Sequence, residues 1–127
     1  MQIMNELLIK LGGMYTIGLI MFHVLFWRLF NWPASLQDLN SVDRATMQVL
    51  NISITLIFCI FAYVSFAHTR ELLYTPLGNT LLVLISWLWL IRAVLQVVFY
   101  KLRHKASVGL TLYFLLGACL YGLSVLT

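Results

Sequence analysis

The chain has 127 residues, of which 62% are apolar, 14% aromatic and only 9% charged, and its formal net charge is +4. A soluble domain carries roughly 25% charged residues, so this composition excludes an ordinary soluble protein and indicates an integral membrane one. The length suits one domain, residues 1–127, with four spans of about 20 residues and short connections. The positive excess does not indicate nucleic acid. The basic residues sit at the ends of apolar runs rather than in one patch interleaved with aromatics.

The first apolar run extends from Leu7 to Phe30, with Trp27 and Arg28 as interfacial anchors at its far end. At 1.5 Å per residue it measures roughly 36 Å, enough to cross a bilayer with some tilt. It is too long for a signal-peptide core, lacks a basic leader and is followed by no small-x-small site, so it is expected to remain in the mature protein. Pro33 pushes Trp32 out of helical geometry and ends the run. Beyond it, Ser35 to Leu39 is expected to form a short interfacial helix capped by Ser35. Ser41 or Asp43 is expected to cap the second span.

The second span covers Thr46 to Ala67, the third Leu77 to Tyr100 and the fourth Ser107 to Leu126. Pro76 suits the first turn of the third helix, with Thr75 as its N-cap. Short connections make successive helices antiparallel neighbours, so the expected fold is an all-α, up-down bundle of four transmembrane helices. No internal repeat or matched pair of broken helices marks a secondary transporter.

Orientation follows from the cations. One side carries Arg28, Arg44, Lys101, Arg103 and Lys105, the other only Lys10 and Arg70. The positive-inside rule therefore predicts both termini outside, in a plasma membrane of the bacterial inner-membrane type.

Arg92 is the most informative residue, because a charge within a membrane span is rare and functional by default. Arg92, Gln96 and Tyr100 stack at four-residue intervals on one face of the third span. Gln48, Asn51, Thr55 and Cys59 form a second stripe, and Thr16, Ile20, His23 and Trp27 a weaker third. His23, Asn51 and Gln96 all fall roughly 6 to 9 Å inside the basic interface, with Arg92 one turn deeper. This common depth predicts one polar cluster of Arg92, Gln96, Asn51 and His23 as the ligand-binding residues. Structural readings stand beside it. Arg92 could snorkel to the headgroups, and the amides could be interhelical glue worth about 0.6 kcal/mol each. His23 could be a packing residue or a proton acceptor.

Other chemistries are disfavoured. His23 and His68 lie at opposite ends of the bundle, and His104 has no second ligand at metal spacing, so neither haem nor zinc is expected. Glu6, Asp38, Asp43 and Glu71 all lie at span ends or in connections, which leaves no buried acid for proton-coupled cation export. Cys59 and Cys119 are expected to be separate packing residues. Gly109, Gly117, Ala118, Gly122 and Ser124 give the fourth span small faces for close helix approach. Trp87 and Trp89 lie mid-span on different faces. No catalytic residue, metal or cofactor is assigned.

The leading expectation is a membrane protein that binds or passes a small amphipathic or anionic molecule, anchored by Arg92. A non-catalytic accessory subunit, packed on a larger membrane partner or on a second copy, is the alternative. An enzyme acting on a lipid-like substrate is weaker, because His23 has no convincing nucleophile beside it.

Overall fold

A computed structural model describes residues 2–126; Met1 and Thr127, expected on the outer side, lie outside the described residues. The elements are α1 (Gln2–Leu29), a 3-10 turn (Ala34–Leu36), α2 (Ser41–Ala67), α3 (Thr69–Tyr74), α4 (Pro76–Tyr100) and α5 (Lys105–Leu126). Of these, α1, α2, α4 and α5 are each long and apolar enough to cross a membrane. The protein is an all-α, four-helix membrane bundle.

The helix ends differ from the apolar runs because polar residues continue the helices past the hydrocarbon. α1 already begins at Gln2, which carries Glu6 to within 3.5 Å of Arg70 on α3. The connection after α1 forms no interfacial helix capped by Ser35. It makes the 3-10 turn instead, and Ser35 Oγ donates back to the Phe30 carbonyl at 2.6 Å. The cap of α2 is Asn40, not Ser41 or Asp43: the Asp43 N–H donates to Asn40 Oδ1 at 2.8 Å. Arg44 folds back to donate to the Leu36 and Leu39 carbonyls, which satisfies backbone acceptors that this irregular segment leaves open.

At the opposite end, the connection from His68 to Thr75 coils into α3, and Thr75 caps α4 by accepting from the Gly78 N–H at 3.0 Å. Gly78 has a steric reason. A Cβ there would collide with the backbone of Glu71 and Leu72, so only glycine lets α3 lie against the first turn of α4.

α1 packs on α2 and α5, and α5 packs on α4, whereas α2 and α4 stand further apart, meeting through the Phe58 and Trp89 rings, 5.4 Å between centroids, and bridged by α3 at one end. The ring of helices therefore has one open seam. Opposite that seam, α1 and α5 interlock through two reciprocal aromatic insertions. Tyr121 of α5 lies over Gly12, and Tyr15 of α1 lies over Gly117, where an added Cβ would stand 2.7 Å and 2.5 Å from the respective rings. Tyr121, wholly buried, bonds through its hydroxyl to Ser65 of α2 at 2.8 Å and to Thr16 of α1 at 3.2 Å. Ser86 of α4 faces Gly122 and donates to the Ala118 carbonyl at 2.8 Å, so that small pair serves the bundle itself.

The outer faces of the bundle are apolar, as a lipid-facing surface requires. Trp87 is 55% exposed while Trp89 is 2% exposed, which confirms that they occupy different faces. Cys59 and Cys119 are unpaired and exposed on the outer surface rather than packed in the core.

Candidate functional site

The four long helices enclose a cavity of about 450 Å³ towards the end of the bundle where α1 and α4 finish and α5 begins. Its wall is mostly aromatic and aliphatic, including Phe22, Phe26, Phe58, Trp89 and Phe114. Helical periodicity supplies this wall: Leu19, Phe22, His23, Phe26 and Phe30 recur at three- and four-residue intervals on α1. Ile54 and Phe58 do the same on α2.

Arg92 enters this cavity from α4. Its guanidinium carbon lies 4.5 Å from the centre of the Phe114 ring, and Nη1 donates to Gln96 Oε1 at 3.2 Å. The arginine is therefore held between α4 and α5 rather than released to the headgroups. A cation over an aromatic face is stabilised by about 0.5 to 2 kcal/mol, depending on desolvation. Gln96, 2% exposed, passes the chain onward: Nε2 donates to Ser107 Oγ at 3.1 Å, and Ser107 donates to the Lys101 carbonyl. This run of bonds closes the turn between α4 and α5. It also fixes the amide so that its oxygen faces the guanidinium.

Among the described residues, no carboxylate lies within ion-pairing distance of Arg92. Glu6 pairs with Arg70, Glu71 with His68, and Asp43 with the Asn40 amide, all outside the cavity. Arg92 thus retains N–H donors beyond the one given to Gln96.

His23 lies on the same cavity wall. Its Nδ1 is 2.9 Å from the Leu19 carbonyl, and because a carbonyl only accepts, Nδ1 carries the hydrogen. In the neutral ring Nε2 is then an acceptor. The ring stacks on Phe26 with centroids 4.6 Å apart and meets Phe58 edge-on at 5.1 Å, which fixes its orientation. Trp89 forms another part of the wall, stacked on Phe114 at 5.9 Å, and its indole N–H meets no acceptor among the described residues.

Of the four residues expected to form one cluster, the cavity brings together Arg92, Gln96 and His23 but leaves Asn51 outside. Both functions of the Asn51 amide are engaged between α1 and α2: Oδ1 accepts from Trp27 Nε1 at 3.0 Å and Nδ2 donates to the His23 carbonyl at 3.2 Å. Depth alone could not separate these cases, since equal depth does not specify which way a side chain turns around its helix axis. Ser107 and Phe114 were not singled out. Their signal is the short loop between α4 and α5, which returns Ser107 to Gln96 and sets Phe114, two turns later, against Arg92.

At the mouth, the cavity wall includes Tyr100 and His104, within the exposed basic connection that holds Lys101, Arg103 and Lys105. The described residues contain no group of three or more histidine, cysteine or acidic side chains placed to hold a metal. No family model matches the chain, and neither a curated protein nor a solved structure is significantly similar to it.

Proposed function

We propose that this protein binds a small amphipathic molecule with an anionic head in the cavity between its four helices, with Arg92 as the charge anchor. The observation that carries this reading is a half-buried arginine, fixed within a helix long and apolar enough to cross a membrane and facing a mostly apolar cavity, with no carboxylate partner among the described residues. A buried charge is costly unless paired. Phe114 and Gln96 offset part of that cost, and the head of a ligand would complete the pairing.

The other polar groups suit the same task. Gln96 orients the guanidinium, while His23 offers an acceptor to a protonated or hydroxylated part of the head. The aromatic wall suits the apolar part of the molecule. Lys101, Arg103 and Lys105 would raise the local concentration of anionic amphiphiles near the mouth. By the positive-inside rule this mouth faces the cytoplasm, with both termini outside, in a plasma membrane such as the bacterial inner membrane.

The test is thermal stability in detergent across a panel of anionic amphiphiles, quinones and sterols, for the parent and for Arg92→Leu. An anionic amphiphile should stabilise the parent and not the variant, since truncating a buried charge contact costs about 2 to 5 kcal/mol. If no compound stabilises the parent more than the variant, the binding reading gives way to that of an accessory subunit.

A further inference from the structure

The open seam between α2 and α4 holds a second cavity of about 220 Å³, walled by Phe61, Val64, Leu81, Leu84 and Leu88 among others. It is almost entirely apolar, and several of its wall residues face lipid: Ile60 is 59% exposed and Leu84 57%. Leu88 lines both this groove and the Arg92 cavity, so the two spaces share a wall. From there the seam runs along α4 to Leu81, about 11 residues or 16 Å from the level of Arg92.

We infer that the ligand is a single-chain acidic amphiphile, whose carboxylate or phosphate head pairs with Arg92 while its hydrocarbon chain passes Leu88 and lies in the seam between α2 and α4. The inference rests on the proposed binding of an anionic head, and adds the class of molecule and the path of its tail.

Three features favour this occupant over an unrelated lipid chain. The groove adjoins the charged cavity across the Leu88 side chain instead of lying elsewhere on the surface, so head and tail sites are neighbours and a turn of that one side chain would join them. The groove's α4 wall, Leu81 to Leu88, measures roughly 10 Å, and the path from Arg92 to its far end is roughly 16 Å, the length of an extended chain of about a dozen methylenes. The seam is single, since the other neighbouring pairs of long helices are closed by direct packing. One chain fits this geometry, and a two-chain lipid would leave its second chain without a groove. The sparse packing between α2 and α4, crossed by the Phe58 and Trp89 ring contact, would give lateral entry from the bilayer, with the head travelling inward past Leu88.

The probe is myristate carrying a photoreactive diazirine at its terminal carbon, added to the full chain in nanodiscs, with labelled residues mapped by mass spectrometry. Labels should concentrate on residues 60–65 of α2 and 81–88 of α4, and fall to background in Arg92→Leu. Labels at the mouth, around Phe30 and Tyr100 to Ser107, would overturn the seam while leaving the anchoring role of Arg92 intact. Labels spread over all lipid-facing surfaces, unchanged in Arg92→Leu, would overturn the anionic-head reading itself.

A second measurement uses Leu81→Trp, which fills the far end of the groove and does not touch the wall of the Arg92 cavity. It should weaken myristate and long-chain alkyl-phosphate binding by about tenfold or more while leaving hexanoate, whose chain does not reach the far end of the groove, within about twofold. Equal retention of both lengths would contradict the seam. Loss of both would be checked against Leu81→Ala, which widens the groove and should keep myristate; failure of Leu81→Ala to bind it would also count against the path. A matching phosphatidate arm separates a single-chain site from one for ordinary bilayer lipid, which would bind the two equally.

Discussion

The Arg92 guanidinium lies over Phe114 at 4.5 Å and donates to Gln96 Oε1 at 3.2 Å, so a single side chain ties a cation–aromatic contact to an interhelical hydrogen-bond chain. A planar guanidinium can lie over a ring while directing an N–H in its own plane, which an ammonium cannot do. Arg92→Lys is therefore expected to keep the charge and lose its positioning. Affinity for an anionic amphiphile should fall roughly tenfold, the equivalent of about 1.4 kcal/mol, with less effect than Arg92→Leu. Titration calorimetry of the three proteins in one nanodisc preparation would order them.

Gln96→Leu removes the link between Arg92 and Ser107. Stability should drop by about 0.5 to 1.5 kcal/mol, in the range of a single interhelical hydrogen bond. Ligand affinity should drop as well, because the guanidinium is no longer oriented. Detergent-titrated unfolding and binding, measured on the same sample, check both.

Asn51→Leu should separate structure from binding. It breaks the bonds to Trp27 Nε1 and the His23 carbonyl, and so loosens the contact between α1 and α2. A stability loss of about 0.6 to 1.7 kcal/mol is expected. Affinity for the ligand should change little, since Asn51 does not line the cavity. A loss of affinity as large as that of Arg92→Leu would return Asn51 to the site.

Much of the bundle was legible because a membrane span is announced by length and composition alone. The start at Thr75 and Pro76 also follows from local backbone chemistry, whereas α1 ends at Leu29, before the residue that Pro33 restricts, and Asn31 turns the chain with a φ of 55°. The common location of Arg92, Gln96 and His23 was readable from four-residue spacing and depth. Asn51 was misgrouped by the same argument, since its amide turns to the turn of α1 that holds His23 and Trp27. The glycine–tyrosine interlock of α1 with α5 and the open seam were not readable. Both depend on which helices become neighbours, and a pattern of apolar residues that is hydrophobic all round does not encode that choice.

Tyr121→Phe is expected to cost only about 1 kcal/mol or less. Thr16 and Ser65 still donate to the Gly12 and Phe61 carbonyls after the phenol is gone. Gly117→Leu should be worse, by roughly 1 to 3 kcal/mol, because its side chain must displace the Tyr15 ring from between α1 and α5. Unfolding midpoints in a mild-to-harsh detergent series would rank them.

The most direct measurement of the central claim is equilibrium binding of myristate and of its uncharged alcohol, myristyl alcohol, to the parent and to Arg92→Leu in nanodiscs of neutral lipid. The two compounds share a chain, so their difference isolates the head. The carboxylate is expected to bind the parent at least about 30-fold more tightly than the alcohol, and Arg92→Leu to abolish this preference, as for a charge contact of about 2 kcal/mol or more. Equal binding of acid and alcohol to the parent, or a preference for the acid that survives in Arg92→Leu, would contradict the central claim.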